Sequence, residues 1–513
     1  MTIGDVIAGV LGIAPDAPAL EFRERWWTWG DLKAVGDGLE RAMADAGLAP
    51  GVRVAGLLRN HPSVAAALLH VVVSRRCMVT LNPSTPDARL CEEIRALRPD
   101  ALVGLAQDLD RPGIREAADE VGAAVLRLGT EPREAVVAES RGQPSAREVV
   151  QRPGVAVEML TSGTTGVPKR IPLALATLEQ AVFDAARFDG GRLEDGPKLR
   201  SGVQILNAPF AHISGVFGFF NWLASGRRGC LLERFSVDQW VSAVRRHRPK
   251  VAGAPPSALK MILDADVPAD DLSSLVAFRT GTAPLDPAVA DAFFDRYGIP
   301  VLQNYGATEF AGGVAGWTLA DFRQFHRTKR GSVGRMNPGV QARIVAADTG
   351  AELPRGDTGL LELKARHLGN GDWLRTTDLA TLDEDNFLWI KGRADNAIIR
   401  GGFKIAPDEV VRAMEQHPRV REAAVVPLPD ARLGQVPAAA YLLKGEGSPI
   451  TPQEWIEFLR ERLLPYQVPV SFLPLKEMPR TPSLKVSQPD LQRLLLETSV
   501  ASTGPASAPT ERT

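Results

Sequence analysis

The sequence predicts an α/β protein: a large N-terminal part of layered α/β subdomains closed by a β-rich subdomain, followed by a small α+β C-terminal domain. Three observations carry that expectation. The chain has 513 residues, more than one hydrophobic core fills, because cores stop growing at roughly 250–300 residues. From about residue 54 to residue 393, short β-branched runs alternate with longer helix-like stretches bounded by Gly and Pro, the pattern of parallel strands joined by helical crossovers. Past residue 359 the helix-like stretches give way to consecutive strand-like runs.

In chain order, a strand-like 251–253 precedes a helix-like 257–263, and a helix-like 288–297 precedes a strand-like 301–304. Runs 360–364, 379–382 and 387–391 alternate strand character with turns and are expected to close the large domain, residues 1–393. Beyond it come a helix-like 407–417, strand-like 420–426 and 438–443, and a helix-like 452–463, enough for a separate small domain over 394–497. Residues 498–513 are rich in Ser, Thr, Pro and Ala without apolar periodicity and are expected to form a disordered tail.

Composition excludes several classes of function. Hydrophobic residues make up 44% and charged residues 24%, the proportions of a soluble globular protein. Lys plus Arg number 60 against 61 Asp plus Glu, so there is no broad basic field to hold nucleic acid or an anionic membrane, and any phosphate must be held locally. Cys77, Cys91 and Cys230 show neither a paired framework nor metal-ligand spacing, which fits a reducing cytoplasm. The first fifteen residues lack the basic start of a signal peptide, and the longest apolar runs are too short to span a bilayer. A cytoplasmic location without membrane insertion is therefore expected.

The run TSGTTGVPK over residues 161–169 follows a strand-like 155–160. Its glycines let backbone N–H groups turn inward, its hydroxyls add donors, and Lys169 adds positive charge, which together describe a phosphate cradle. It is not a Walker loop, because no Gly-Lys-Ser/Thr stands at the required spacing. Taken alone it serves equally well as a surface loop. It does not stand alone: LNP (81–83), APFAHISG (208–215), GTAP (281–284), NYGATE (304–309), RTTD (375–378), GRAD (392–395), GGFKI (401–405) and PRTPSLK (479–485) follow in series. In order and approximate spacing this set resembles the adenylate-forming superfamily, and within it the AMP-binding acyl-CoA synthetases (acyl-CoA ligases).

The resemblance implies ATP or acyl-AMP, Mg²⁺ and coenzyme A as ligands, and a carboxylic acid or its adenylate as substrate. It also implies a mobile small domain that presents different surfaces to the two half-reactions. Thr161, Ser162, Gly163, Thr164, Thr165, Gly166 and Lys169 would embrace the β- and γ-phosphates; Thr308 would reach the α-phosphate, and Glu309 would hold Mg²⁺. Tyr305 would lie against adenine, and Asp378, assisted by Arg393, would accept the ribose hydroxyls. Lys485 would neutralise charge between substrate carboxylate and α-phosphate. Asp395 matches the hinge, Gly401, Gly402 and Phe403 the loop along which pantetheine passes, and His212 a gate to the thiol tunnel. His212, Gly215, Gly253, Gly281, Thr282, Asn304 and Gly306 would line the acyl pocket, and their small size suggests a bulky, hydrophobic acid.

Peptide-synthetase relatives place an aspartate in the segment equivalent to 210–214 to bind an ammonium; here there is none, which favours a stand-alone ligase using free CoA. Three positions commonly glycine in the superfamily are filled: Arg170, Thr377 and Leu484, while Asn386 replaces a turn glycine. A filled glycine site that needs φ > 0 resists that geometry, so one expectation is an impaired adenylation step, with thioester formation retained and acyl-AMP supplied by a partner ligase. Two alternatives stand beside it: a fully competent two-step acyl-CoA synthetase, and a non-catalytic acyl-nucleotide-binding protein. A luciferase-like oxidative enzyme would share the fold, but no residue is assignable to oxygen chemistry.

Overall fold

The computed structural model describes residues 1–141, 153–161, 169–188, 191–366, 368, 371–394, 397–400, 403–430, 432–445, 447–481 and 484–502, with backbone only at 161, 169, 404 and 499–502. The chain separates into two compact units. The first comprises Met1–Ala342, Leu363–Leu374 and Asp385–Leu388; the second comprises Arg343–Glu362, Arg375–Glu384 and the described residues from Trp389 onward. The β-rich segment expected to close the large domain is thus divided between the units. Strands bond laterally, so contact density follows the ladders rather than chain order.

In the first unit a seven-stranded sheet runs in the order Val137–Arg141, Ala124–Leu128, Ala101–Leu105, Arg53–Leu57, Cys77–Leu81, Val155–Thr161, Lys169–Ala174. The five inner strands are parallel and the two edge strands antiparallel. Arg53–Leu57, Cys77–Leu81 and Ala101–Leu105 are buried at every residue, as parallel strands covered on both faces must be. Alternate residues serve different cores: Val54, Met78 and Val103 pack with helix Pro62–Val73, whereas Ala55, Val79 and Leu102 pack with helices Asp87–Leu97 and Ile114–Glu120.

A second sheet orders Arg200–Leu206, Arg227–Leu231, Pro18–Phe22 and Arg25–Thr28. In a third, Val251–Gly253, Ala277–Thr280 and Val301–Ala307 run parallel and Gly312–Gly316 returns antiparallel. Helices Pro256–Asp264 and Pro287–Tyr297 begin with proline in the first turn, where its missing N–H costs nothing.

Strands Thr358–Lys364 and Leu374–Leu382 fall mostly in the second unit, with Leu363, Lys364 and Leu374 counted in the first. The other sheet of the second unit orders Phe403–Ile405, Ile398–Arg400, Gly434–Leu443 and Val420–Asp430, with Phe472–Leu475 also paired to Gly434–Leu443. Tyr441 and Val425 face helices Pro407–Glu415 and Pro452–Arg460 through Met414 and Trp455. Leu442 and Val426 face helix Gln488–Ser502 through Leu491 and Leu495. That helix corrects one expectation, since it carries the first five residues of the presumed tail, 498–502, as regular helix. Once Leu491 and Leu495 anchor a turn, each further residue adds a hydrogen bond without a new nucleus. Residues 503–513 lie outside the described residues. Among the described residues no helix is long and apolar enough to cross a membrane.

A buried ion pair links the central strand of the first sheet to the strand that leads into the phosphate loop. Arg53 forks onto Glu158, with Nη2–Oε2 at 2.7 Å and side chains 10% and 5% exposed, and its Nη1 donates to the Leu97 carbonyl at 2.8 Å. Deleting one partner of such a pair leaves an uncompensated buried charge. Glu158→Ala is expected to lower the unfolding free energy of the first unit by about 3–5 kcal/mol, read by urea denaturation monitored by tryptophan fluorescence; a loss below about 1 kcal/mol would show the pair to be hydrated.

Candidate active site

The phosphate-loop segment is framed by an antiparallel hairpin. Strands Val155–Thr161 and Lys169–Ala174 pair so that Thr161 faces Lys169 directly, and the connection between them leaves from and returns to adjacent strand ends. Ser162, Gly163, Thr164, Thr165 and Gly166 lie outside the described residues, as do the side chains of Thr161 and Lys169. Arg170, the first of the three filled glycine positions, pairs with Leu160 in the ladder and is not among the residues with left-handed φ. Its guanidinium turns back onto the sheet: Nη1 donates to the Thr80 carbonyl at 3.3 Å and Nη2 lies 3.6 Å from Glu93. Desolvation lowers its pKa from the ordinary arginine value, while the charges of Glu93 and Glu158 oppose the shift. Arg170 therefore anchors the base of the hairpin, and its backbone carries no strain.

Strand Val301–Ala307 delivers the next group. It ends in a single turn, Thr308–Phe310, closed by Ala311 at φ 60°. Tyr305 is half-buried with its ring 6.1 Å from that of Phe310; Thr308 is half-buried and Glu309 exposed. An exposed carboxylate next to a threonine hydroxyl is a hard-oxygen donor set, which suits Mg²⁺, an ion that keeps several waters and takes few protein ligands. Among the described residues one trio of metal-type ligands lies close together, Glu21, Cys230 and His247. It is a buried ion pair beside a histidine, because Glu21 is already held by Arg246 at 2.5 Å, with His247 Nε2 2.8 Å away and burial lowering the His247 pKa. Burial pushes the Cys230 thiol up to about 12.

Around this strand the chain approaches itself closely. A Cβ on Gly281 would stand 1.8 Å from Oδ1 of Asn304, and one on Gly306 would stand 2.2 Å from the Gly312 carbonyl. Gly215 and Gly253 meet the carbonyls of Pro209 and Arg279 in the same way. The glycines expected to leave room for an acyl group thus give their space to neighbouring backbone at Gly215, Gly253 and Gly306 and to the Asn304 side chain at Gly281, and their smallness sets no size for a ligand. Thr282, exposed, stands at φ 72°, a left-handed conformation that a β-branched residue adopts only under constraint. His212 is the half-buried N-cap residue of helix Ile213–Ser225. Sequence reasoning missed what holds it: Asn60, buried, accepts from the Phe210 N–H and donates to the Ala208 and Leu232 carbonyls, stapling the loop ahead of the helix. No motif announced Asn60.

In the second unit Asp378, Arg393 and Lys485 form another group. Thr376 Oγ1 accepts from the Asp378 N–H at 3.1 Å and donates to the Leu361 carbonyl at 2.9 Å, fixing the strand beneath the carboxylate. Arg393 Nε lies 4.0 Å from Asp378 Oδ1. Thr377, the second filled glycine position, has no left-handed φ, and its hydroxyl accepts from Arg393 Nη2 at 2.6 Å. It steadies Arg393 and does not obstruct it. Lys485 is exposed as a residue, yet desolvation of its ammonium, with the Arg393 charge adding, holds its pKa below the usual lysine value.

Leu484, the third filled glycine position, is strained as anticipated: its φ is 62°. The hairpin around it is closed by Thr481 N–H to the Lys485 carbonyl and Leu484 N–H to the Thr481 carbonyl, both 2.8 Å. Asn386 also takes left-handed φ, which asparagine tolerates. Phe403 is exposed and stacks on Tyr466 at 4.5 Å; Asp395, Gly401 and Gly402 lie outside the described residues.

Comparison with known proteins fits this arrangement. Residues 12–373 match the AMP-binding enzyme family and residues 409–485 the AMP-binding enzyme C-terminal domain. A 4-coumarate–CoA ligase-like protein of Arabidopsis thaliana is 30% identical over 69% of this chain and 66% of its own length. The 4-coumarate–CoA ligase 3 of Oryza sativa subsp. japonica is 27% identical over 91% of this chain and 87% of its own. Among solved structures, a mutant of the amide bond synthetase of Marinactinospora thermotolerans superposes with a TM-score of 0.76 at 27% identity, covering 96% of this chain and 99% of that one. With a match that takes in the loop hairpin and the Asn304–Glu309 turn and, in its second part, ends on Lys485, the chain belongs to the AMP-binding enzyme family, beside its acyl-CoA ligases.

Proposed function

We propose that this enzyme joins a bulky, apolar carboxylic acid to coenzyme A through an acyl-adenylate, and that it runs both half-reactions itself. The observation that carries this reading is the lysine hairpin: its turn is closed by two backbone hydrogen bonds although Leu484 stands where glycine is usual, so Lys485 is held at a built position. In the first half-reaction a carboxylate oxygen attacks the α-phosphorus of ATP and pyrophosphate leaves with the electrons of the broken P–O bond. Two anions must meet for this to happen, and the ammonium of Lys485 placed between them lowers the repulsion. Thr308 donates toward the α-phosphate, and Thr161 to Lys169 hold the outgoing phosphates. Mg²⁺, when bound, neutralises phosphate charge; Glu309 is the carboxylate that would hold it. Asp378 accepts from the ribose diol, with Arg393 kept beside it by Thr377.

In the second half-reaction the thiol sulfur forms a bond to the acyl carbon, AMP leaves with the electrons of the C–O bond, and the thiol proton passes to solvent. Phe403 and the glycines before it are assigned to the pantetheine path, Asp395 to the hinge, and His212 to the gate of the tunnel. The large domain is taken as residues 1–393 and the small one as 394–497. The glycine lining does not carry the bulk of the acid; the reading takes its lead from one relative, whose own name specifies 4-coumarate. Arg170 and Thr377 take ordinary backbone angles, so they do not weigh against adenylation. A chain that depends on a partner ligase for acyl-AMP retains only Leu484 in its favour.

Two feeds decide between these readings. Supplied with ATP, Mg²⁺, CoA and each of 4-coumarate, cinnamate, benzoate and octanoate, the enzyme is expected to form thioester from at least one acid, and also from the matching synthetic acyl-AMP plus CoA. Product from acyl-AMP alone would restore the impaired-adenylation reading, and product from neither would leave only a nucleotide-binding protein. Thr377→Val removes a hydrogen bond to a half-exposed guanidinium, worth about 1 kcal/mol. It is expected to raise the KM for ATP roughly fivefold with kcat little changed; an unchanged KM would remove Thr377 from the ribose site.

A further inference from the structure

We propose that Arg480 is a positioning residue for the first half-reaction, acting through the peptide that precedes Lys485. The inference rests on the role given to Lys485 under Proposed function. Arg480 Nη1 donates to the Leu484 carbonyl at 3.0 Å. That carbonyl belongs to the planar peptide joining Leu484 to Lys485, so the direction in which it points fixes where the Lys485 Cα–Cβ bond sets out. Leu484 stands at φ 62°, a conformation disfavoured for a residue with a Cβ, and the loop must be held there by bonds from outside it.

The guanidinium that supplies this hold is itself fixed. Its Nη2 lies 2.8 Å and 2.6 Å from the two carboxylate oxygens of Glu422, and the side chains are only 22% and 17% exposed. Charge-assisted pairs of this kind are short and directional, and Arg cannot lose its charge. Glu422 projects from strand Val420–Asp430, which pairs along its length with Gly434–Leu443 in the sheet of the second unit. A rigid strand therefore reaches the lysine hairpin through one carboxylate and one guanidinium. Arg480 also bridges Val486 across the hairpin, so its backbone and its side chain both close the turn. Where glycine would take the left-handed angle unaided, leucine is clasped into it.

A positioning role differs from a merely structural one in which half-reaction it affects. With the fastest acid of the panel above, pyrophosphate release without CoA measures adenylation, and thioester formation from the matching acyl-AMP plus CoA measures the second step. Arg480→Met keeps the aliphatic stem and removes the fork; it is expected to slow adenylation ten- to thirtyfold in kcat, with the KM for ATP within twofold, while thioester formation from acyl-AMP falls less than threefold. Glu422→Gln leaves the guanidinium in place on a weaker partner and is expected to give the same split at about a third of the amplitude, and it carries the test if Arg480→Met does not fold. Equal loss in both half-reactions, or no loss in either, overturns the proposal. Lys485→Ala serves as the reference: if it leaves adenylation intact, the reading of Lys485 fails, whereas loss in Lys485→Ala without loss in Arg480→Met defeats the role of Arg480 alone.

Discussion

In the reaction proposed above, repulsion between a carboxylate and a triphosphate is the constraint on which the rest of the site depends. Neither anion approaches the other in water without a cation between them, and a net charge of -1 gives the chain no diffuse positive field to lend. Cations must therefore be placed singly, on backbone that does not wander. Lys169 stands at the mouth of a hairpin whose strand ends are paired, and Lys485 at the head of a turn closed by two backbone hydrogen bonds. Lys169 is set by strand pairing and Lys485 by the hydrogen bonds that close its turn.

The neighbouring charges are arranged to hold that backbone. Arg53 and Glu158 join strands of the first sheet, and Arg170 reaches the Thr80 carbonyl and Glu93. Arg480 and Glu422 do the equivalent for the lysine hairpin in the second unit. Arginine suits this work because its fork fixes direction as well as charge. Strain is then affordable at selected points, and Thr282 and Leu484 both take left-handed angles beside residues assigned to the chemistry.

Much of this was legible in the sequence. Strands 251–253 and 301–304 and the helices near them declared themselves through β-branched runs and proline starts, and the order of the motifs pointed to the family. Of the three filled glycine sites only Leu484 has the backbone that the substitution rule anticipates; Arg170 and Thr377 do not. A glycine position records either a positive φ or a close approach, and sequence does not separate the two. The partners of Arg170 lie 90 residues away at Thr80, and Glu422 lies 58 residues from Arg480, distances across which no local pattern carries information. Asn60 was invisible for the same reason, since its work is done on the Ala208, Phe210 and Leu232 backbone. The tail was misjudged between 498 and 502 because composition reports polarity but not the momentum of a helix already anchored at Leu491 and Leu495.

Under the proposed function this chain itself brings acid and ATP together. Exchange of labelled pyrophosphate into ATP, measured without CoA, reports that encounter alone, because exchange requires the adenylate to form and revert. Acid-dependent exchange is expected in the unaltered protein, and its disappearance when Lys485 is replaced by alanine. No exchange with any carboxylic acid, in a protein that still converts a supplied acyl-AMP and CoA to thioester, would contradict it.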